Sequence, residues 1–280
     1  MAPLPSFASL TADQSEGPPG VARRTLLLVR HKPTLHSGMR TGSAKEAERL
    51  VVVTGASTGV GRATAKALAM EHGCTVVAVA RNRGQLDELA KECSAGSGRL
   101  HPLVVDLEQA DAVAKVEQAL AGRRLHGLVN NAGLLIKQPF GAWSAGDTAR
   151  LFHLHATVPL LLTQTLAPQL AGEPKGHVVN IGSMGGFQGS VKFPGLAAYS
   201  ASKAAVANLT ECMAEELKDR QVCCNCICLG AVDTAMVRAA FPGYSAPVGP
   251  VEVGGYLARF VLEGHKFFNG KVLPLAVSTP

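Results

Sequence analysis

The sequence predicts a single α/β domain built on a doubly wound parallel sheet. From residue 50 onwards, short apolar runs typical of buried strands alternate with stretches typical of helices. The first apolar run is followed by a glycine-rich turn and then by a helical stretch. Only 5% of the residues are aromatic, whereas 30 are glycines, which favours an α/β protein with tight turns over a β-sandwich.

Each strand of this pattern is separated from the next by a helical stretch, so the sheet is expected to be parallel. The predicted strands are at residues 50–53, 75–80, 100–106, 127–131, 177–183, 222–229 and 271–276. The predicted helices are at residues 62–72, 84–93, 109–121, 147–170, 198–217 and 250–262. No internal repeat is present. We therefore assign residues 50–280 to one domain and residues 1–49 to an N-terminal extension.

The extension has no hydrophobic period and contains several prolines, so it is expected to be disordered or loosely docked. Residues 17–45 include six basic residues and no acidic one, which resembles part of an organelle transit peptide. Asp13 and Glu16 and the small number of serines argue against that interpretation. We expect a cytoplasmic protein, with organelle targeting through residues 1–49 as the alternative.

Composition argues against several functional classes. The net charge is +6, without a basic stripe interleaved with aromatic residues, so nucleic-acid binding is not expected. No apolar run approaches the ~20 residues that span a bilayer. Four of the seven cysteines fall between residues 223 and 228, in a predicted strand. Neighbours in a strand point to opposite faces, so we expect buried thiols in a reducing compartment and no metal site.

The glycine turn after the first strand has the spacing G-x3-G-x-G. Glycines let a backbone approach a pyrophosphate, and the helix N-terminus beyond them supplies unpaired N–H groups and partial positive charge. Tight packing alone is the other explanation of these glycines. The residues of the turn that we expect to bind a dinucleotide are Gly55, Ser57, Thr58, Gly59, Val60 and Gly61.

A tyrosine and a lysine lie four residues apart in the predicted helix 198–217, on one helical face. An ammonium group close to a phenol stabilises the phenolate and lowers the pKa of the phenol. A phenol adjusted in this way can exchange a proton with an alcohol oxygen. Tyr199 and Lys203 are therefore candidate catalytic residues, although a core tyrosine beside a surface lysine would show the same spacing.

Four motifs occur together and in order: Thr54–Gly61, Asn130–Gly133, Ser183 and Tyr199-x-x-x-Lys203. With them the chain resembles the short-chain dehydrogenases/reductases of the classical subgroup, over about residues 50–276. The resemblance implies a Rossmann-type fold and NAD(P)(H)-dependent hydride transfer between a carbonyl and an alcohol. It also implies a homodimer or homotetramer, formed through the long helix 147–170 and the Tyr199 helix.

The resemblance assigns roles to the catalytic candidates. Tyr199 is the general acid in carbonyl reduction and the general base in the reverse reaction. Lys203 lowers its pKa and binds the nicotinamide ribose. Ser183 donates a hydrogen bond to the substrate oxygen, with Ser190 as an alternative, because a short insertion separates Ser183 from Tyr199.

The resemblance also implies the cofactor contacts. Residues 131–133 close the adenosine side of the cleft, and an acid at the end of the third strand binds the adenine amino group. The segment after the sixth strand holds the nicotinamide carboxamide. The positions of this chain that match are Asn131, Ala132, Gly133, Asp106 with its neighbour Leu107, Val232 and Thr234.

The second strand indicates which cofactor is used. NAD-preferring members end this strand with an acid that binds the ribose 2′-hydroxyl. Here it ends with Arg81 and no acid follows directly, and a guanidinium group suits a 2′-phosphate. We therefore expect NADP(H), with NAD(H) as the alternative. Thr58 occupies another position where a basic residue is usual, which weakens this argument.

One departure from the family concerns the catalytic asparagine, which holds a water for proton relay. His155 stands at that position. Imidazole can donate and accept hydrogen bonds and changes charge near neutral pH, so activity with a stronger pH dependence is one expectation. A purely structural His155 is the other.

The expected function is therefore that of an NADP(H)-dependent carbonyl reductase or alcohol dehydrogenase acting on a small-molecule carbonyl or alcohol, with 3-oxoacyl substrates as candidates. The alternative is a nucleotide-binding or sensing protein with impaired catalysis, which the change at His155 favours. A sugar-nucleotide epimerase is disfavoured because too few residues follow Thr234 for a substrate domain.

Overall fold

The structure, a computed structural model, describes residues 48–277. It contains a sheet of seven parallel strands in the order β3-β2-β1-β4-β5-β6-β7. The strands are β1 (Leu50–Thr54), β2 (Thr75–Ala80), β3 (Arg99–Val104), β4 (Gly127–Asn130), β5 (Gly176–Ser183), β6 (Val222–Leu229) and β7 (Lys271–Leu275). The predicted doubly wound sheet is confirmed.

Helices connect the strands. They are α1 (Gly59–Met70), α2 (Arg83–Cys93), α3 (Ala112–Leu120), α4 (Ala145–Phe152), α5 (Val158–Leu170), α6 (Ala197–Glu216), α7 (Ala235–Ala240) and α8 (Pro250–Glu263). A π-helical turn at His153–Thr157 joins α4 to α5, and short 3-10 turns lie at Phe140–Ala142, Lys218–Arg220 and Gly264–Lys266. None of the helices in the described part of the chain is both long and apolar enough to cross a membrane.

The core lies on both faces of the sheet, because successive residues of a strand point to opposite faces. In β1, Val51 and Val53 belong to one apolar cluster, with residues of α1, α2 and α8. Leu50 and Val52 belong to the opposite cluster, with residues of α3, α5 and α6. All five residues of β1 are buried, which explains why its sequence shows no alternation of apolar and polar residues.

Most boundaries differ from the predictions by one to three residues, and three differences matter for the cleft. The third strand covers residues 99–104 instead of 100–106, and Asp106 lies in the loop beyond it. The predicted helix 147–170 begins at Ala145 and contains the π turn. Pro159 has no N–H to donate to the carbonyl of His155 four residues earlier, which accounts for a wider turn at this point. Helix α7, in the apolar segment 235–250, was not predicted. The N-terminal extension lies outside the described residues except for Glu48 and Arg49.

A buried hydrogen-bond chain connects the centre of the sheet to α6. Asn130 Nδ2 in β4 donates to Asn180 Oδ1 in β5, at 2.8 Å. Asn180 Nδ2 donates to Thr210 Oγ1 in α6, also at 2.8 Å, and Thr210 donates to Val206 O. Because these side chains are at most 5% exposed, the chain fixes the position of the helix that carries Tyr199.

We predict that Thr210→Val lowers the free energy of unfolding by about 1–3 kcal/mol, since it leaves the Asn180 amide without an acceptor. Thr163→Val is the matched control. Thr163 is equally buried, but its hydroxyl has no hydrogen-bond partner among the described residues. The control is expected to be neutral or stabilising in denaturant unfolding. Equal effects of the two changes would contradict the proposed importance of the chain.

Candidate active site

A cleft of about 760 Å³ runs along the carboxyl ends of the strands. It includes the point between β1 and β4 where the strand order reverses, which is where ligands bind in open α/β sheets. All predicted site residues except Gly61 line it. They are Gly55, Ser57, Thr58, Gly59, Val60, Arg81, Asp106, Leu107, Asn131, Ala132, Gly133, His155, Ser183, Tyr199, Lys203, Val232 and Thr234.

The glycine turn between β1 and α1 needs glycine for two reasons. Gly55 and Gly59 have φ of 66° and 56°, in the left-handed region that L side chains disfavour. A Cβ on Gly61 would lie 2.2 Å from Asn131 Nδ2 and 2.4 Å from Gly55 O. Gly61 therefore permits packing of α1 against the turn and is not among the residues that line the cleft, so its contact with a cofactor stays a prediction.

Helix α1 begins at Gly59 in the wall of the cleft. Thr58 precedes it and makes no side-chain capping bond, so its side chain does not occupy the first N–H groups of the helix. Those N–H groups and the helix dipole favour an anion at this place. The residues present therefore fit the pyrophosphate of a dinucleotide.

The segment after β4 is bound directly to the end of β1. Thr54 Oγ1 accepts hydrogen bonds from the backbone N–H groups of Asn131 and Ala132, each at 3.0 Å. Asn131 Nδ2 donates to Thr54 O at 2.9 Å. Asn131 thus supports the turn through its side chain. Thr54 was recognised only as part of a motif, and its role as the acceptor for this loop was missed.

The adenosine end of the cleft contains Arg81, Asp106 and Leu107, as predicted. Asp106 Oδ1 accepts the N–H of Glu108, and the Arg81 side chain is 68% exposed. Sequence reasoning missed Asn82, Glu108 and Arg150 in this lining. The first two directly follow predicted residues at strand ends and could have been found by that rule. Arg150 comes from α4, and no sequence signal places it here.

The opposite end of the cleft is formed by Val232 and Thr234, which follow β6. Thr234 Oγ1 caps α7 by accepting the N–H of Val237 at 3.4 Å. A Cβ on Gly59 would lie 3.4 Å from Thr234 Cγ2, so this segment faces the glycine turn across the cleft. The structure therefore brings both sets of predicted cofactor contacts to one cavity.

Ser183 and Tyr199 both lie in the wall of the cleft, and their hydroxyl groups are close enough for Ser183 to lower the pKa of Tyr199. Ser183 Oγ also accepts the N–H of Gly185 at 3.1 Å. The hydroxyl of Ser190 donates to backbone carbonyls in its own loop, including Phe187 O at 2.8 Å, and Ser190 does not line the cleft. The geometry favours Ser183 over Ser190 as the partner of the substrate oxygen.

Lys203 is 6% exposed, and its Nζ donates to Ile181 O at 2.8 Å. Burial lowers the pKa of Lys203 to about 8, against a raising effect of the nearby Cys226 and Cys228 thiols. Burial raises the pKa of Tyr199, and the nearby Ser183 hydroxyl offsets this only in part. The net direction at Tyr199 is thus set by burial, which the spacing of two residues on a helix does not reveal, and a lowering effect of Lys203 on the pKa of Tyr199 stays a prediction.

His155 lies in the π turn and is 2% exposed. Its Nε2 accepts the N–H of Leu134 at 3.1 Å. Nδ1 must therefore carry the proton of a neutral ring, and it lies 2.8 Å from Ser202 Oγ. Ser202 Oγ in turn donates to Tyr199 O at 2.7 Å. His155 thus connects the loop after β4 to the backbone of α6.

Burial and the neighbouring Lys203 ammonium lower the pKa of His155 to about 2. The imidazole is therefore neutral throughout the physiological pH range. The expectation that His155 changes charge near neutral pH is wrong, because its environment disfavours the cation. The His155 and Tyr199 rings are edge-on, with their centroids 5.6 Å apart, so the group beside the phenol ring is an uncharged imidazole.

The four cysteines of β6 are buried, as predicted. Cys226 and Cys228 point to one side of the strand, with their sulfur atoms 4.0 Å apart, and both are free thiols. Within residues 48–277, no three metal-ligating side chains converge on one point.

Residues 49–245 match the family model described as short chain dehydrogenase. Pig (Sus scrofa) carbonyl reductase [NADPH] 2 is 38% identical over 191 residues, covering 67% of this chain and 73% of that protein. The 3-oxoacyl-[acyl-carrier-protein] reductase FabG of Thermotoga maritima is 31% identical over 197 residues, covering 68% and 76%. A Beutenbergia cavernae structure with bound NADP is 31% identical, with a TM-score of 0.73, and the match covers 83% of this chain and 97% of that one.

The low pKa of His155 predicts a specific loss of stability in acid. Between pH 6.5 and about 2 the imidazole binds a proton in the unfolded state only, so stability present above pH 6.5 is lost as the pH falls below that value. Between pH 7.5 and pH 5.5, wild type should lose about 1.4 kcal/mol more than His155→Asn. Urea unfolding at the two pH values measures this. His101→Asn, at an exposed position of β3, is the control, and an equal loss in wild type and His155→Asn would contradict the prediction.

Proposed function

Because the chain belongs to the short-chain dehydrogenase family, we propose that it is an NADP(H)-dependent oxidoreductase that interconverts a carbonyl group and a secondary alcohol. The observation that carries this proposal is the pair of neighbouring Ser183 and Tyr199 side chains in the wall of a cleft that also contains the glycine turn. A binding protein would need the turn but not this pair.

The cleft offers a place for each part of a nicotinamide dinucleotide. The N-terminus of α1 would hold the pyrophosphate, and the loop beyond β3 would hold the adenosine. Val232 and Thr234, opposite Gly59, would hold the nicotinamide end. When bound, this cofactor supplies or accepts the hydride.

The protein supplies the proton chemistry. Because burial raises the pKa of Tyr199, its phenol is protonated at neutral pH and can give the proton to a carbonyl oxygen that gains charge during reduction. Ser183 would donate a hydrogen bond to the same oxygen. In the oxidation direction the same groups act in reverse, with Tyr199 accepting the proton of the alcohol.

Lys203 and His155 would keep this arrangement in place. The Lys203 Nζ, bonded to Ile181 O, holds a positive charge in the floor of the cleft, where ribose hydroxyls would meet it. Imidazole replaces the amide that the family has at position 155, but its hydrogen bonds to Leu134 and Ser202 give it a fixed place. These bonds favour a working site over the alternative of an impaired nucleotide-binding protein.

Two features support NADP(H) over NAD(H). Arg81 lies exposed at the end of β2, and no acid stands between it and the start of α2. A guanidinium there suits the 2′-phosphate, whereas NAD-binding sites place a carboxylate at this point. The pig relative is named for NADPH, and the Beutenbergia structure contains NADP.

Residues 235–250, which we call the lid, form an apolar segment that begins in the wall of the cleft with Ala235, Met236 and Val237. Phe193 and Phe241 meet at 6.1 Å, and Lys137 Nζ lies 4.3 Å from the centre of the Phe241 ring. Lys137 Nζ also donates to Ala240 O at the end of α7. We propose that this lid accepts a carbonyl compound with hydrophobic bulk. A 3-oxoacyl thioester is one candidate, and the relative from Thermotoga maritima is named as a reductase of that class.

We also propose that the chain forms a homodimer or homotetramer. Leu160 and Leu161 on α5 are each 38% exposed, although leucine favours burial. Light scattering of the purified protein tests the assembly, and a monomer at micromolar concentration would refute it.

A substrate panel tests the proposed activity. NADPH oxidation is followed with ketones, quinones, aldehydes and 3-oxoacyl thioesters, after NADPH and NADH binding have been measured by fluorescence. We expect tight NADPH binding and turnover of at least one class. Binding without any turnover would favour the impaired nucleotide-binding protein.

We predict that Tyr199→Phe lowers kcat by about 100- to 10,000-fold, since it removes the proton donor. NADPH affinity should stay nearly unchanged, because the ring keeps its shape. Tyr256→Phe, on α8 outside the cleft, is the matched control and should keep full activity. Turnover of Tyr199→Phe within a few-fold of wild type would disprove the assignment.

Reversing the charge at position 81 should exchange the cofactor preference. In Arg81→Asp the Kd for NADPH should rise at least about tenfold, because a charge-assisted bond to the 2′-phosphate is replaced by repulsion. The Kd for NADH should change much less. Arg259→Asp, at an exposed position of α8, controls for total charge. An unchanged ratio of the two Kd values would refute the 2′-phosphate argument.

A further inference from the structure

Three charged side chains meet at the adenosine end of the cleft, and we refer to them as the adenosine-end cluster: Arg81, Glu108 and Arg150. Arg81 directly follows β2, Glu108 lies beyond β3, and Arg150 belongs to α4. All three line the cleft. The cluster therefore joins elements on both sides of the adenosine end.

One oxygen atom of Glu108 faces both arginines. Glu108 Oε1 accepts a hydrogen bond from Arg150 Nη2 at 3.1 Å and lies 3.6 Å from Arg81 Nη1. The other oxygen, Oε2, accepts from Arg150 Nε at 2.8 Å. Arg150 thus holds the carboxylate with two bonds, whereas Arg81 has one long ion-pair contact.

The side chains of the cluster that make more contacts are also the more buried ones. The Glu108 side chain is 21% exposed, Arg150 is 54% exposed and Arg81 is 68% exposed. An exposed guanidinium with one long contact can reorient at little cost, because such pairs contribute only about 0–1 kcal/mol. Arg81 is therefore able to exchange the Glu108 carboxylate for another anion.

We propose that Glu108 and Arg150 are positioning residues that set the affinity of the cleft for a ribose 2′-phosphate. Glu108 competes with the phosphate for Arg81, and Arg150 reduces that competition by engaging the same carboxylate. The inference rests on the proposed function, in which Arg81 recognises the 2′-phosphate. It adds two residues that do not touch the phosphate themselves but determine how available Arg81 is.

The competition predicts opposite effects for two changes that both remove a charge. Glu108→Gln frees Arg81, so the 2′-phosphate should bind ~2- to 5-fold more tightly. Arg150→Gln leaves both carboxylate oxygens to Arg81, so the 2′-phosphate should bind ~2- to 5-fold more weakly. A merely structural role of either residue would weaken binding in both variants.

The double variant separates competition from a long-range effect of charge. If Arg150 acts through Glu108, Arg150→Gln should have almost no effect once position 108 is glutamine. If it acts on the phosphate through space, it should weaken binding by the same factor in both backgrounds. The double-mutant cycle reports this difference directly.

The probes are 2′,5′-ADP and 5′-AMP, which carry the adenosine end of the cofactor with and without the 2′-phosphate. Their Kd values are measured by calorimetry on the full chain at two salt concentrations. Only the Kd for 2′,5′-ADP should change, and its dependence on salt should be steeper in Glu108→Gln. Glu117→Gln and Arg259→Gln, at exposed positions of α3 and α8, are the matched controls and should behave as wild type.

The outcomes distinguish the inference from the proposed function. Opposite shifts for 2′,5′-ADP that vanish in the double variant support the competition. Shifts of the same sign, or shifts that persist in the double variant, overturn it while the proposed function stands. Failure of wild type to prefer 2′,5′-ADP over 5′-AMP refutes NADP(H) preference, and the inference falls with it.

Discussion

The close contact between the end of β1 and the segment after β4 is the constraint on which the rest of the site depends. Asn131 Nδ2 occupies the space that a Cβ on Gly55 or Gly61 would need, and Thr54 holds the same segment by its backbone. This contact joins two neighbouring strands at the reversal of strand order. It directs the first turn of α1 into the cleft and places Gly133 beside His155.

Position 155 holds a histidine where the family has an asparagine, and the surrounding structure accommodates the larger side chain. The π turn, at which Pro159 has no N–H to donate, interrupts the regular helix at His155. The imidazole lies outside the helix with both ring nitrogens hydrogen-bonded. A neutral ring can make these two bonds, whereas a cation has no acceptor for the Leu134 N–H. Burial therefore makes His155 a fixed connector between the loop after β4 and α6.

Burial also shifts the pKa values of Tyr199, Lys203 and His155, and these shifts are the main difference between prediction and structure. The alternation of strands and helices, the glycine turn and the placement of almost all predicted site residues in one cleft followed from local patterns, since strand ends meet at one edge of a parallel sheet. The pKa values did not follow, because they depend on the depth of Tyr199, Lys203 and His155 and on neighbours such as Cys228, which is far away in the sequence.

The sequence by itself determined the doubly wound parallel sheet and the family, and it indicated the candidate catalytic groups, because these depend on residue type and on spacing within single elements. Only the tertiary structure decided which side chains from distant parts of the sequence contact one another. Glu108 meets Arg150 across 42 residues, and His155 meets Ser202 across 47. The hydrophobic periodicity of a single helix or strand does not predict such contacts, since they form only when separate elements pack around one cleft.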